Sequence, residues 1–170
     1  NSFYGYLGYA RALFNDYRAA DAVTAAGQEV VRGIVDALRA ARARVIEVDT
    51  DGVFFVPPPD VNDEESEHHT VEALAASLPA GISLVVDGRY RRMLSYRKKN
   101  YALLGYDDRL QIKGSSLISR SMERFGRSYI RGCIERILNG DIDGLHRLYV
   151  EIAHAISAHA MDIRDFARVE

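Results

Sequence analysis

The sequence predicts an α+β fold, on three observations. Segments with helical spacing of apolar residues lie toward both ends. Short runs rich in β-branched and aromatic residues lie between them, each bounded by Gly, Pro or Asp. The order is helix, hairpin, helix, sheet, then helices, without the strand–helix alternation of a parallel sheet. With 48% hydrophobic and 27% charged residues, the 170-residue chain can build a core and is not a disordered polymer.

Residues 1–20 are rich in Tyr and Gly, and their abrupt start reads as a cut inside a larger protein. Asp21 is placed to cap a helix running to about residue 41, with Val23, Gly27, Val30, Ile34 and Leu38 on one face. Residues 45–48 and 53–56 are the arms of a predicted β-hairpin, and Asp49-Thr50-Asp51-Gly52 is its turn. Pro57-Pro58-Pro59 stops the second arm, because proline cannot donate to a ladder. Residues 60–69 read as an acidic loop leading into a helix near 71–77, which Pro79-Ala80-Gly81 ends. Residues 82–86, 90–95 and 101–106 read as strands, with Asp87-Gly88 and Asp107-Asp108 as turns. From about residue 121 the period is helical: one helix to Leu138, a stop at Gly140, and a second helix over about 141–158.

No apolar run reaches the roughly 20 residues needed to span a bilayer, so no membrane is expected. The single cysteine, Cys133, excludes an internal disulfide and argues against a cysteine-based zinc site, which points to a reducing, cytoplasmic compartment. The net charge of −2 hides a sharp division. Between Arg89 and Arg136 thirteen bases face four acids, so this stretch carries +9 and the rest −11. That division favours a polyanion contact in the middle of the chain.

Asp49 and Asp51 stand at i and i+2, which on a strand puts both side chains on one face. Neighbouring carboxylates repel unless a cation or proton lies between them. Mg²⁺ takes oxygen ligands, often one or two protein carboxylates plus substrate phosphates. The same four residues also make an ordinary turn, with Asp bonding nearby backbone and Gly taking positive φ. Spacing alone leaves both readings open. His68 and His69 follow three glutamates and read as part of the acidic loop, and His154 and His159 stand five apart rather than the four that shares a helix face.

Five motifs in order give the chain a resemblance to family B DNA polymerases. Asn1-Ser2-Phe3-Tyr4-Gly5 looks like the N-S-x-Y-G that joins fingers to palm, and Ala22-Val23-Thr24-Ala25-Ala26-Gly27-Gln28 is similar to the helix that follows. Asp49-Thr50-Asp51-Gly52 matches the palm D-T-D motif. Lys98-Lys99-Asn100-Tyr101 looks like the K-K-x-Y that grips primer–template duplex, and Lys113-Gly114 resembles the basic-Gly step into the thumb. The resemblance implies an antiparallel palm sheet with flanking helices, followed by a partial helical thumb: residues 1–20 closing the fingers, 21–112 palm, 113–170 thumb. It implies that Asp51 and Asp49 are the catalytic carboxylates and, with Asp87, metal ligands, in a site using two Mg²⁺ ions. Asn1 and Tyr4 would face the incoming nucleotide. Lys98, Lys99, Tyr101, Lys113 and Arg120 would contact DNA. The implied partners are primer–template DNA, deoxynucleoside triphosphates and the rest of a polymerase chain, with a nucleoid location.

The departures from the family pattern bear on activity. Glu47 replaces the usual Tyr before the first aspartate, Gly52 replaces the serine after D-T-D, and Ser119-Arg120-Ser121 replaces a pair of arginines and an aspartate. The D-x-x-S-L-Y-P motif that supplies the other palm aspartate, the fingers lysine and the exonuclease region have no counterpart in this sequence. The 170 residues are therefore expected to bind metal weakly or not at all and to polymerise nothing alone. A non-catalytic DNA-binding module, or a protein-interaction module using the acidic residues 60–67, would account for part of the same sequence.

Overall fold

The computed structural model describes residues 2–49, 52–114, 116–119 and 121–168, the side chain of Ser2 excepted. It divides into two compact units, residues 1–86 and 87–170.

The first unit opens with a short helix, α1 (Ser2–Leu7), followed by the long α2 (Tyr17–Ala40). Asp16, not Asp21, caps α2: its backbone is extended and its carboxylate accepts the Ala19 N–H at 3.0 Å. Only the C-terminal half of the predicted apolar face is covered. Ile34 and Leu38 are buried, whereas Val23 is 52% exposed. At the helix end Arg42 takes a left-handed φ of 66°, and the Ala43 N–H reaches back to the Leu38 carbonyl at 2.9 Å. This tight stop feeds the chain straight into β1 (Arg44–Val48), which pairs antiparallel with β2 (Val53–Val56). A bulge between Val45 and Glu47 interrupts the register, a device that adds twist and re-aims a hairpin.

The next helix, α3 (Glu64–Ala75), starts within the stretch read as an acidic loop. Asp63 and Ser66 form a capping box, and Glu64, Glu65 and Glu67 occupy the first turn, where the helix dipole favours negative charge. Ile34, Leu38, Ala43 and Leu74 form the core of this unit, with Val45, Val53, Phe55 and Leu84 packed around it. Residues 82–86 are not a strand, which corrects the sequence expectation. The Ile82 N–H turns back to the Pro79 carbonyl, Val85 is 82% exposed, and only Leu84 reaches the core cluster.

The second unit is a three-stranded antiparallel sheet, β3 (Tyr90–Arg97), β4 (Asn100–Gly105) and β5 (Leu110–Lys113), with β4 central and buried along its length. The four-residue β5 replaces 82–86 as the sheet's third member. Two helices follow, α4 (Arg124–Asn139) and α5 (Ile142–Ser157), separated by Gly140 at φ 73°. Ala102, Leu104 and Leu110 of the sheet pack with Leu117, Ile134 and Leu138. The Arg92 guanidinium donates to the Leu138 carbonyl, placing a cation on an end-of-helix acceptor and tying β3 to α4. A 3-10 turn at Ile163–Phe166 folds back on the start of α4 through the Phe125–Phe166 rings, 4.8 Å between centroids, and the Arg168–Glu123 pair at 3.1 Å.

Truncating Leu38 to Ala removes the most buried side chain of the first unit and should cost about 2–5 kcal/mol by chemical denaturation. The backbone N–H of Glu123 and the Arg168 guanidinium hold the Glu123 carboxyl below its ordinary range. A depressed folded-state pKa means this attachment is complete above the free carboxylate value and is lost as pH falls through the folded one. Once exchange is corrected for its intrinsic pH dependence, protection of the amides over 163–168 should therefore fall on acidification, and Arg168→Ala should reduce that fall.

Candidate acidic hairpin and nucleic-acid interface

The β1–β2 hairpin is held at its tip by the Asp49 N–H, which donates to the Gly52 carbonyl at 2.8 Å. Thr50 and Asp51, which lie between them in sequence, fall outside the described residues. Asp49 is half-buried, as is Glu47 two residues before it, where Glu47 pairs across the ladder with Phe54. The donor chemistry at Asp49 is a hard carboxylate oxygen, which suits Mg²⁺. Among the described residues no group of three or more His, Cys, Asp or Glu stands close enough to hold an ion. Asp87 belongs to the second unit, where it is exposed at a cavity of about 460 Å³ shared with Arg89, Tyr106 and Asp107. There the Arg89 guanidinium lies 5.3 Å above the Tyr106 ring.

Of the two residues expected at the nucleotide, Asn1 lies outside the described residues. Tyr4 is 47% exposed on α1, and its hydroxyl hydrogen-bonds the Thr24 hydroxyl of α2 at 3.2 Å. Thr24 also donates to the Ala20 carbonyl one turn back. Sequence reading did not single out Thr24, although it stands in the A-V-T-A-A-G-Q stretch.

Arg97, Lys98, Lys99 and Lys113 lie at one end of the sheet, whereas Arg91 and Arg109 lie at the other, paired with Asp108 and Asp107. Lys98 and Lys99 form the two-residue turn between β3 and β4, with Arg97 opposite Asn100, and both lysines are exposed. Lys99 closes the turn at a φ of 62°. Tyr101 is only 9% exposed and sits opposite Lys113 on β5. Asn100 is the one buried polar side chain among the described residues. Its amide N–H donates to the Lys98 carbonyl at 2.9 Å, and its amide oxygen accepts the Ser116 N–H at 2.8 Å. Gly114 (φ 94°) fits beneath this arrangement with no room for a Cβ, which would overlap the Lys99 carbonyl and the Asn100 amide oxygen. Lys98, Lys99, Tyr101 and Lys113 are therefore brought together, while Arg120 lies outside the described residues. Asn100 and Gly114 were quoted in the motifs, but their mutual contact has no signature in the sequence.

The first unit carries an acidic hairpin and the second a basic sheet end. Residues 1–168 match the sequence pattern described as DNA polymerase family B, and the chain belongs to that family. It is 28% identical over 162 residues to DNA polymerase 1 of Pyrococcus abyssi, covering 94% of this chain and 21% of that protein. It is 29% identical over 164 residues to a DNA polymerase of Thermococcus kodakarensis, covering 94% of this chain and 10% of that protein. The fold matches the family B DNA polymerase of the archaeon Pyrobaculum calidifontis with a TM-score of 0.75 at 24% identity, over 96% of this chain and 21% of that one. The chain thus spans a tenth to a fifth of the length of these relatives. Among the described residues no helix is long and apolar enough to cross a membrane.

Gly114→Ala forces a side chain into a left-handed backbone and into the Asn100 amide. The left-handed strain alone is worth about 1–2 kcal/mol, so denaturation should show at least that loss. Asn100→Ala removes two side-chain hydrogen bonds, to the Lys98 carbonyl and from the Ser116 N–H, and at about 0.5–1.5 kcal/mol each it should cost about 1–3 kcal/mol by denaturation.

Proposed function

We propose that these residues are the palm and the beginning of the thumb of a template-directed DNA polymerase, with residues 1–20 closing the fingers, 21–112 in the palm and 113–170 in the thumb. The family match over residues 1–168, with D-T-D-G at the end of a hairpin, is the observation that carries this reading. The reaction joins the primer 3′-oxygen to the α-phosphorus of a deoxynucleoside triphosphate. The bond from that phosphorus to the bridging oxygen breaks, pyrophosphate leaves, and the 3′-hydroxyl proton passes to solvent.

Asp51 and Asp49 would hold Mg²⁺; when bound, the ions supply charge neutralisation at the phosphates and a lowered pKa at the 3′-hydroxyl. The chain's own residues orient the reactants. Tyr4, hydrogen-bonded to Thr24, and Asn1 would face the incoming nucleotide. Lys98, Lys99, Lys113 and Arg120 hold duplex phosphates, a contact that fixes register without reading sequence. Tyr101 supports the strand from which the lysine turn projects. By themselves the 170 residues extend no primer, because they carry only one of the two aspartate motifs the palm requires. The acidic residues 60–67 need no partner in this reading, since α3 uses them as cap and first turn.

The departures at Glu47 and at Ser119-Arg120-Ser121 favour a second reading, a polymerase module that binds DNA without synthesis. The two separate in primer extension by the full-length polypeptide carrying these residues. Asp51→Asn should lower extension by about a hundredfold or more while leaving duplex affinity unchanged. Equal extension by both proteins, or none by the unmutated one, would reject synthesis at this site.

A further inference from the structure

We propose that residues 162–168 are a strap that supplies the start of α4 with the support its own sequence lacks, so that the first turn of α4 is ordered when the strap is closed and frays when it opens. The helix starts poorly by itself. Glu123 stands at the N-cap, yet its side chain makes no capping hydrogen bond. The first turn contains no acid, and Arg124 and Arg127 bring cations to the end where the helix dipole disfavours them. Gly126, a poor helix former, lies between them. The turn is closed by the Arg127 N–H, which donates to the Glu123 carbonyl at 3.0 Å.

Three consecutive residues at this weak start each take a partner from the strap. The Arg168 guanidinium donates to the Glu123 carboxylate at 3.1 Å, Arg124 reaches the Asp165 carboxylate at 3.5 Å, and the Phe125 ring meets the Phe166 ring at 4.8 Å. Base meets acid in both directions with a ring pair beside them, so the match is specific in register. Asp165 thereby brings to the helix start the negative charge that its first turn does not contain. The chain is turned back for this contact at the end of α5. His159 takes a left-handed φ of 51°, and the Ala160 N–H reaches the Ala155 carbonyl at 2.9 Å. Asp162 then accepts the Arg164 N–H at 2.9 Å and starts the 3-10 turn. The strap can open by itself. None of residues 162–168 is buried, and exposed ion pairs and a single ring pair are each weak. The far half of α4 is held separately, through Ile134 and Leu138 in the sheet core. Opening is therefore a local event confined to the strap and the first turn it supports.

The test is amide hydrogen exchange in the full-length polypeptide carrying these residues, comparing the amides that close the first turn of α4, Arg127 and Ser128, with those of Ile134–Leu138 in the same helix. Asp165→Asn, Phe166→Ala and Arg168→Gln together remove all three contacts. This variant should lower protection at 127–128 by about tenfold and leave 134–138 unchanged. Adding Glu123→Ser gives the helix a cap of its own and should restore about fivefold of that loss with the strap still detached. Unchanged protection at 127–128 in the triple variant overturns the strap. An equal loss at 134–138 also overturns it, because the contacts would then support the whole unit and not the first turn. Failure of Glu123→Ser to restore protection overturns the reading of the strap as a substitute for the missing cap.

Discussion

The second unit depends on a single buried amide. Asn100 begins the central strand, and it spends its side chain on the backbone on either side: one bond to the lysine turn before it, one to the segment after β5. A buried polar group is tolerated only when its hydrogen bonds are made, so the arrangement is all or nothing. Gly114 has to be a glycine for the same reason, because the space a side chain needs is already filled by that amide. From this clamp follow the position of the two exposed lysines and the direction in which the chain leaves the sheet. The place where the chain becomes thumb in our reading is thus decided by packing around an uncharged residue, not by the charges that surround it.

The first unit is organised differently. Its hairpin is short, bulged and seated on the C-terminal half of α2, where Leu38 and Ile34 meet Val45, Val53 and Phe55. The left-handed Arg42 lets the helix end directly against the strand that leads to Asp49. A carboxylate at the end of two packed arms has its backbone position fixed by apolar contacts behind it.

Much of this was legible in the sequence, for identifiable reasons. The hairpin arms could be read because β-branched and aromatic residues flank a turn of Asp, Thr, Asp and Gly, and α4 and α5 could be read from their period and the glycine between them. The start of α3 could not, because three glutamates and two histidines look like solvated loop until Asp63 is recognised as a cap and the glutamates as dipole partners. Residues 82–86 have strand composition, yet composition does not say whether a ladder partner exists. Leu-Gln-Ile-Lys at 110–113 is too short to announce itself and owes its pairing to β4. At the candidate site the residues of the motifs were visible, whereas the bonds of Thr24 to Tyr4 and of Asn100 to Lys98 and Ser116 were not. Hydrogen bonds that bridge distant segments leave no periodic trace.

Lys99 illustrates what such a site asks of its backbone. Its φ of 62° belongs to the region that glycine or asparagine enters at little cost and a lysine does not. A tight two-residue turn between Arg97 and Asn100 would be easier to form with Asn-Gly than with two lysines. The chain therefore carries a strained, self-repelling dipeptide at a place where folding alone would select neither residue. Replacement by glycine would relax the turn and, in the reading of Lys99 as a DNA contact, would discard one cation of that contact.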